Sequence, residues 1–108
     1  MSDEQNQKPE FSTALRRYFA KQAHSLKPVV MIGKAGLTEE VVSATTAALD
    51  DHELIKVRFV DHKSEKKTIS SRLAELTDST LIRIIGNIAI LFRRNEDPEK
   101  RKYTIPEL

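Results

Sequence analysis

The succession of apolar patterns along this 108-residue chain predicts an α/β two-layer sandwich, built α-β-α-β-α-β-β on a mixed four-stranded sheet. Three observations carry that reading. Apolar residues recur at helical spacing in three segments, interleaved with short runs that have the length and pattern of strands. Two of the helical segments separate successive strands, the kind of crossover that parallel neighbours require. The last two apolar runs are divided by only Gly86 and Asn87, residues that accept positive φ and fit a two-residue hairpin, so the final pair is antiparallel.

Met1 to Glu10 has no apolar residue beyond the initiator and contains Pro9, so residues 1–10 are expected to form a loose tail before a single domain over 11–106. Ser12 is a candidate N-cap. After it Leu15, Tyr18, Phe19, Ala23 and Leu26 follow helical spacing, with Arg16, Arg17 and Lys21 largely off the stripe; Pro28 ends the helix because its ring disfavours helical geometry at Lys27. Val29 to Ile32 is an all-apolar run stopped by Gly33, the pattern of a strand covered on both faces. Thr38 can cap a second helix with Glu39 and Glu40 in its first turn, Leu37 and Val42 as a hydrophobic staple, and Val41, Ala44, Ala48 and Leu49 buried, ending near Asp50.

Leu54 to Val60 alternates, with Ile55, Val57 and Phe59 on one face and Lys56 and Arg58 on the other, a half-exposed strand. Ser64 to Leu76 carries a narrow helical stripe, Ile69, Leu73 and Leu76, beside Lys66, Lys67 and Arg72. The hairpin strands run Leu81 to Ile85 and Ile88 to Arg93, and from Asn95 the chain is polar. Right-handed crossovers put the second and third helices on one side of the sheet if the strand order progresses one way.

Composition narrows the function. With no cysteine there is no disulfide, thiolate metal site or cysteine nucleophile. No apolar run reaches the roughly 18 residues of a membrane span, and the polar, acidic N-terminus lacks the features of a signal peptide, so a cytoplasmic protein is expected. His24, His52 and His62 have no helical metal-pair spacing, and are expected at the surface or hydrogen-bonded. Asp50, Asp51 and Glu53 lack the glycine-centred ligand spacing of an EF-hand and are expected to be solvated turn carboxylates. Neither catalytic residues, metal nor cofactor is expected.

Charge is segregated. Phe11 to Gly36 holds five cations, Arg16, Arg17, Lys21, Lys27 and Lys34, and no Asp or Glu; Leu37 to Leu54 holds five acids and no Lys or Arg. A net charge of +2 thus conceals a basic block suited to an anionic partner. At its end lies Gly33, Lys34, Ala35, Gly36, a tetrapeptide whose glycines permit a tight turn and close backbone approach to a ligand, followed by a helix N-terminus. No Gly-Lys-Ser/Thr closes it, so it is not a nucleotide-hydrolysing loop. The same spacing also suits a plain strand-to-helix turn. The loop and basic helix together suit clamping of a nucleic-acid strand. Whether Lys56, Arg58, Arg93 and Arg94 extend that surface depends on which sheet face is open.

The stretch Leu26-Lys27-Pro28-Val29-Val30-Met31-Ile32-Gly33-Lys34-Ala35-Gly36-Leu37-Thr38-Glu39, followed by His52-Glu53-Leu54-Ile55-Lys56-Val57, resembles the CRM domain, named for chloroplast RNA splicing and ribosome maturation. Ile85-Gly86, the strand ending Leu91-Phe92-Arg93, and Arg101 to Pro106 resemble the last hairpin and closing segment of bacterial single-domain, YhbY-like members. Asn87 and Phe92 stand where that family often has lysine and tyrosine. The resemblance implies an RNA-binding module with a KH-like GxxG loop. It further implies a fold similar to the C-terminal domain of bacterial translation initiation factor three, with sheet order 1-2-4-3. Bacterial members are associated with large-subunit precursors, so it also implies a role in ribosome biogenesis.

The expectation is therefore a monomeric, non-enzymatic protein that binds precursor ribosomal RNA of the large subunit. Backbone contacts would come from Gly33, Lys34, Ala35 and Gly36, and electrostatic contacts from Arg16, Arg17, Lys21, Lys27 and Lys34. Aromatic residues are only 6% of the chain, which favours recognition by shape and phosphate over base stacking. The competing expectation is a protein-interaction module, docking a ribosomal protein or assembly factor through the acidic second helix or an open sheet edge.

Overall fold

Ser12 begins the first helix by accepting at Oγ from the amide of Leu15, 3.0 Å away. The computed structural model describes residues 11–107, and the expected tail of residues 1–10 lies outside them. Helix α1 runs Thr13–Ala23 and buries Leu15, Phe19 and Ala23. It stops short of Leu26, because the amide of Leu26 turns back to the Ala23 carbonyl at 2.9 Å. Then follow β1 (Val30–Ile32), α2 (Glu39–His52), β2 (Leu54–Phe59), a 3₁₀ turn (Lys63–Glu65), α3 (Lys66–Leu76), β3 (Thr80–Ile85), β4 (Ile88–Phe92) and a 3₁₀ turn (Pro98–Lys100). Thr38 caps α2 as expected, accepting from Val41 at 3.1 Å.

The sheet order is β1-β2-β4-β3, as the family resemblance implies. β1 lies parallel to β2, β4 antiparallel to both β2 and β3, and a bulge interrupts β3 between Leu81 and Arg83. Strand alternation divides the apolar residues between two cores. Val30, Ile32, Ile55, Val57, Phe59, Ala89 and Leu91 meet Leu49 of α2 and Leu73 and Ala74 of α3, so these helices share one side. On the other side Leu54, Ile82, Ile90 and Phe92 meet Phe11, Leu15, Phe19 and Ala23. Gly86 alone of the two hairpin-turn residues has positive φ, +58°.

Leu76, expected in the apolar stripe of α3, is 45% exposed at the end of that helix, and three further expectations are corrected. The Val29–Ile32 run is not covered on both faces: Val30 and Ile32 are buried, but Met31 is 59% and Val29 51% exposed. β1 is an edge strand, and α1 packs over β2 and β3 instead, leaving that end of the second face open. In α2 the buried positions are Thr45 and Leu49, and Ala44 is exposed, because the helix is rotated slightly from the expected stripe. Thr45 satisfies its hydroxyl on the Val41 carbonyl at 2.7 Å.

The last correction concerns Glu53, which is fully buried instead of solvated, at a φ of +66°. Its Oε2 accepts from Asn95 N at 2.6 Å, and its Oε1 from Lys102 N at 2.6 Å and Tyr103 N at 3.2 Å. Three amide donors compensate the buried carboxylate. They also fasten the polar-looking C-terminal segment, so that Tyr103 and Ile105 close the core beneath α1.

Candidate nucleic-acid interface

β1 ends at Ile32 and α2 begins at Glu39, and the turn between them is held from both sides. The amide of Gly36 donates to the Gly33 carbonyl at 2.9 Å, which puts Lys34 and Ala35 at the exposed corners. Gly36 has a φ of +74°, a conformation that favours glycine, and it lies against the His62 ring. Gly33 has neither constraint. Its φ lies outside the left-handed region, and a Cβ built there meets nothing within 4 Å. One glycine therefore shapes the turn, while the other, half-buried, leaves open space where a side chain would stand.

His62 fixes this geometry. Its Nε2 is 2.8 Å from the Lys34 carbonyl, and its Nδ1 is 3.4 Å from Glu65. The bonded Lys34 carbonyl, aided by Glu65 and Asp61, holds the imidazole above its ordinary value of 6.5 against the opposing effect of desolvation. The ring is presented by a left-handed residue, φ +56°, whose amide donates to Asp61 Oδ1 at 2.7 Å. Sequence spacing gave no sign of this latch, because the partners are 28 residues apart.

The basic residues separate into two kinds. Arg16 is engaged within the fold: its guanidinium donates to the carbonyls of Leu81 and Ile82, the latter at 3.1 Å, and its Nε to Phe11 O at 3.3 Å. Those carbonyls belong to the bulged stretch of β3, so Arg16 supplies donors that the interrupted ladder lacks. The side chains of Arg17, Lys21, Lys27 and Lys34 belong to exposed residues and have no hydrogen-bond or ion-pair partner among the described residues. Arg17 and Lys21, four residues apart, form the outer ridge of α1; Lys27 lies in the α1–β1 connection.

The four cations left open by the sequence, two on β2 and two just after β4, also divide. Lys56 Nζ donates to His24 O at 3.1 Å and Leu26 O at 2.9 Å, closing the connection after α1. Arg93 bonds Thr77 O at 2.9 Å and pairs with Asp50. Arg58 and Arg94 are exposed. The acidic side chains of Glu39, Glu40 and Asp51 are carried by α2 on the opposite side of the sheet from α1, a side that α2 shares with the Lys66, Lys67 and Arg72 of α3.

All six aromatic residues take part in packing. Phe11, Phe19, Phe92 and the partly buried Tyr18 and Tyr103 cluster beneath α1, with Phe19 and Phe92 ring centroids 4.4 Å apart, and Phe59 lies in the other core. Among the described residues no three His, Cys, Asp or Glu side chains gather as a metal-binding set, and no helix is long and apolar enough to cross a membrane.

Comparison with known proteins gives a consistent family. The CRS1/YhbY (CRM) domain model matches residues 11–93. A Haemophilus influenzae "RNA-binding protein" is 38% identical over 87 residues, covering 80% of this chain and 88% of its own length. The Pseudomonas aeruginosa "Probable RNA-binding protein PA4753" is 35% identical over 86 residues, covering 79% and 83% respectively. The solution structure of Staphylococcus aureus SAV1595, titled an RNA-binding candidate, superposes with a TM-score of 0.73 at 27% identity, covering 88% of this chain and all of that one. Together with the α1–β1–α2 arrangement around the glycine turn, these matches establish that the chain belongs to the CRS1/YhbY (CRM) domain family.

Proposed function

We propose that this protein is a non-enzymatic, monomeric, cytoplasmic RNA-binding protein whose target is precursor ribosomal RNA of the large subunit, and that it assists ribosome assembly. The observation that carries the RNA-binding reading is the open space left by the missing side chain of Gly33, beside the exposed Lys34 corner of a turn already braced by Gly36 and His62. A braced turn loses little conformational freedom on binding, so backbone contact with a phosphate–sugar chain costs less. Arg17, Lys21, Lys27 and Lys34 supply the long-range attraction. The names of the relatives support RNA as the partner. The ribosomal target rests on the family resemblance.

Four neutralised phosphates on single-stranded RNA give a slope of log affinity against log salt of about −3. Lys34→Glu should weaken binding and reduce that slope by roughly 0.7 or more. A slope near zero, or full binding by the Lys34→Glu variant, contradicts the reading. Crosslinking in cells tests the target: ribosomal precursors should be enriched on the wild type and lost on Lys34→Glu. If RNA binding is absent but a ribosomal protein is captured through α2, the protein-interaction reading replaces this one.

A further inference from the structure

We infer that the uncovered part of the sheet on the α1 side is a second RNA contact, one that receives unpaired bases of the strand whose backbone passes the Gly33–Gly36 turn. This rests on the RNA-binding reading above and extends it from the backbone to the bases.

The register places four side chains in one row across the sheet: Met31 of β1 is level with Arg58 of β2, Arg58 with Ile88 of β4, and Ile88 with Ile85 of β3. Alternation puts this row on the same face as Leu54, Ile90 and Phe92, yet α1 does not reach it. Met31 is 59% and Ile85 52% exposed. Val60 continues the β2 side of that face, and its amide donates to Ile32 O at 2.9 Å, which brings it alongside Gly33. The apolar row therefore adjoins the glycine turn.

Its charge selects the occupant. Arg58 lies in the row, Arg83 lies one step along β3 from Ile85's side of it, and among the described residues no Asp or Glu occupies a position on this stretch of the face. Neither arginine has a partner among the described residues. Apolar side chains interspersed only with unpaired cations suit a ligand that presents flat, weakly polar groups on an anionic thread, which describes single-stranded RNA. All six aromatic side chains are taken up by packing, so aliphatic contact replaces ring stacking.

The test uses the full chain and two fluorescent probes, a single-stranded RNA of about a dozen nucleotides and an abasic ribose-phosphate chain of equal length. Met31→Ser combined with Ile85→Ser changes two exposed residues, and circular dichroism confirms that the fold is kept. The expected result is about a tenfold loss of affinity for the base-bearing probe, no change for the abasic probe, and an unaltered salt slope, since no charge is removed. Equal binding of the base-bearing probe by variant and wild type overturns the inference; so does failure of the wild type to bind that probe. In either case the turn reading is judged separately, by Lys34→Glu on folded ribosomal RNA. Sedimentation showing a wild-type dimer that the double variant dissolves would assign the face to a second copy of the chain and overturn RNA as its occupant.

Discussion

Gly33 and Gly36 bracket one turn, but the structure assigns them different work, and alanine at each position separates the two. At Gly36, with φ +74°, a Cβ would sit 3.5 Å from His62 Nε2, an ordinary contact, so the penalty is conformational and not a clash. Left-handed backbone costs an L-residue about 1–2 kcal/mol, offset in part by the reduced freedom of alanine in the unfolded chain. A net loss of about 1 kcal/mol is expected for Gly36→Ala, a fall in Tm of roughly 4–8 °C for a domain of this size. At Gly33 the left-handed penalty is absent and the space is open, so Gly33→Ala should leave stability unchanged or raise it by up to ~1 kcal/mol. Its methyl group would stand between RNA and the main chain, and affinity should fall about tenfold, or roughly 1.4 kcal/mol. Thermal denaturation and RNA titration of both variants read these outcomes. Should Gly33→Ala destabilise the fold as much as Gly36→Ala, or bind RNA as tightly as the wild type, the division of roles is wrong.

Arg16→Ala should destabilise the protein by about 2 kcal/mol in urea unfolding by stripping donors from the Leu81 and Ile82 carbonyls, whereas Arg17→Ala should leave stability within about 0.5 kcal/mol and lower the salt slope. His62 has its folded-state pKa raised, so its protonation stabilises the fold below about pH 6.5, and that contribution disappears as pH rises through the folded value. The stability gap between wild type and His62→Ala should accordingly be wider at acid than at alkaline pH; a gap that widens with rising pH would refute the latch. Glu53→Gln replaces a buried carboxylate that three amides serve, and should cost about 2–3 kcal/mol and loosen residues 95–105, seen as faster amide exchange at Lys102 and Tyr103.

Local patterning in the sequence revealed much of the fold. Ser12 and Thr38 have capping side chains followed by helical stripes, and both cap helices. The alternation in β2 foretold which residues face α2 and α3. What local pattern cannot carry is distance along the chain. The exposure of Met31 depends on where α1 crosses the sheet, and the burial of Glu53 depends on amides 42 to 50 residues later. The turn was recognisable by its two glycines, and its lysine by the basic block that leads to it. Arg16 and Arg17 are indistinguishable as sequence, although a rotation of about 100° on the helix sends one to the sheet and the other to solvent. His62 carried no signal, since its partner is a backbone carbonyl.

Titration of isotope-labelled protein with single-stranded RNA, followed through its backbone amide resonances, tests most directly whether the glycine turn is where RNA is held. The amides of Gly33, Lys34 and Ala35 should move most, with those of Met31 and Arg58 next and those along α2 beyond its first turn nearly still. Movement concentrated along α2 from Val41 to Asp51, with the turn silent, would contradict it.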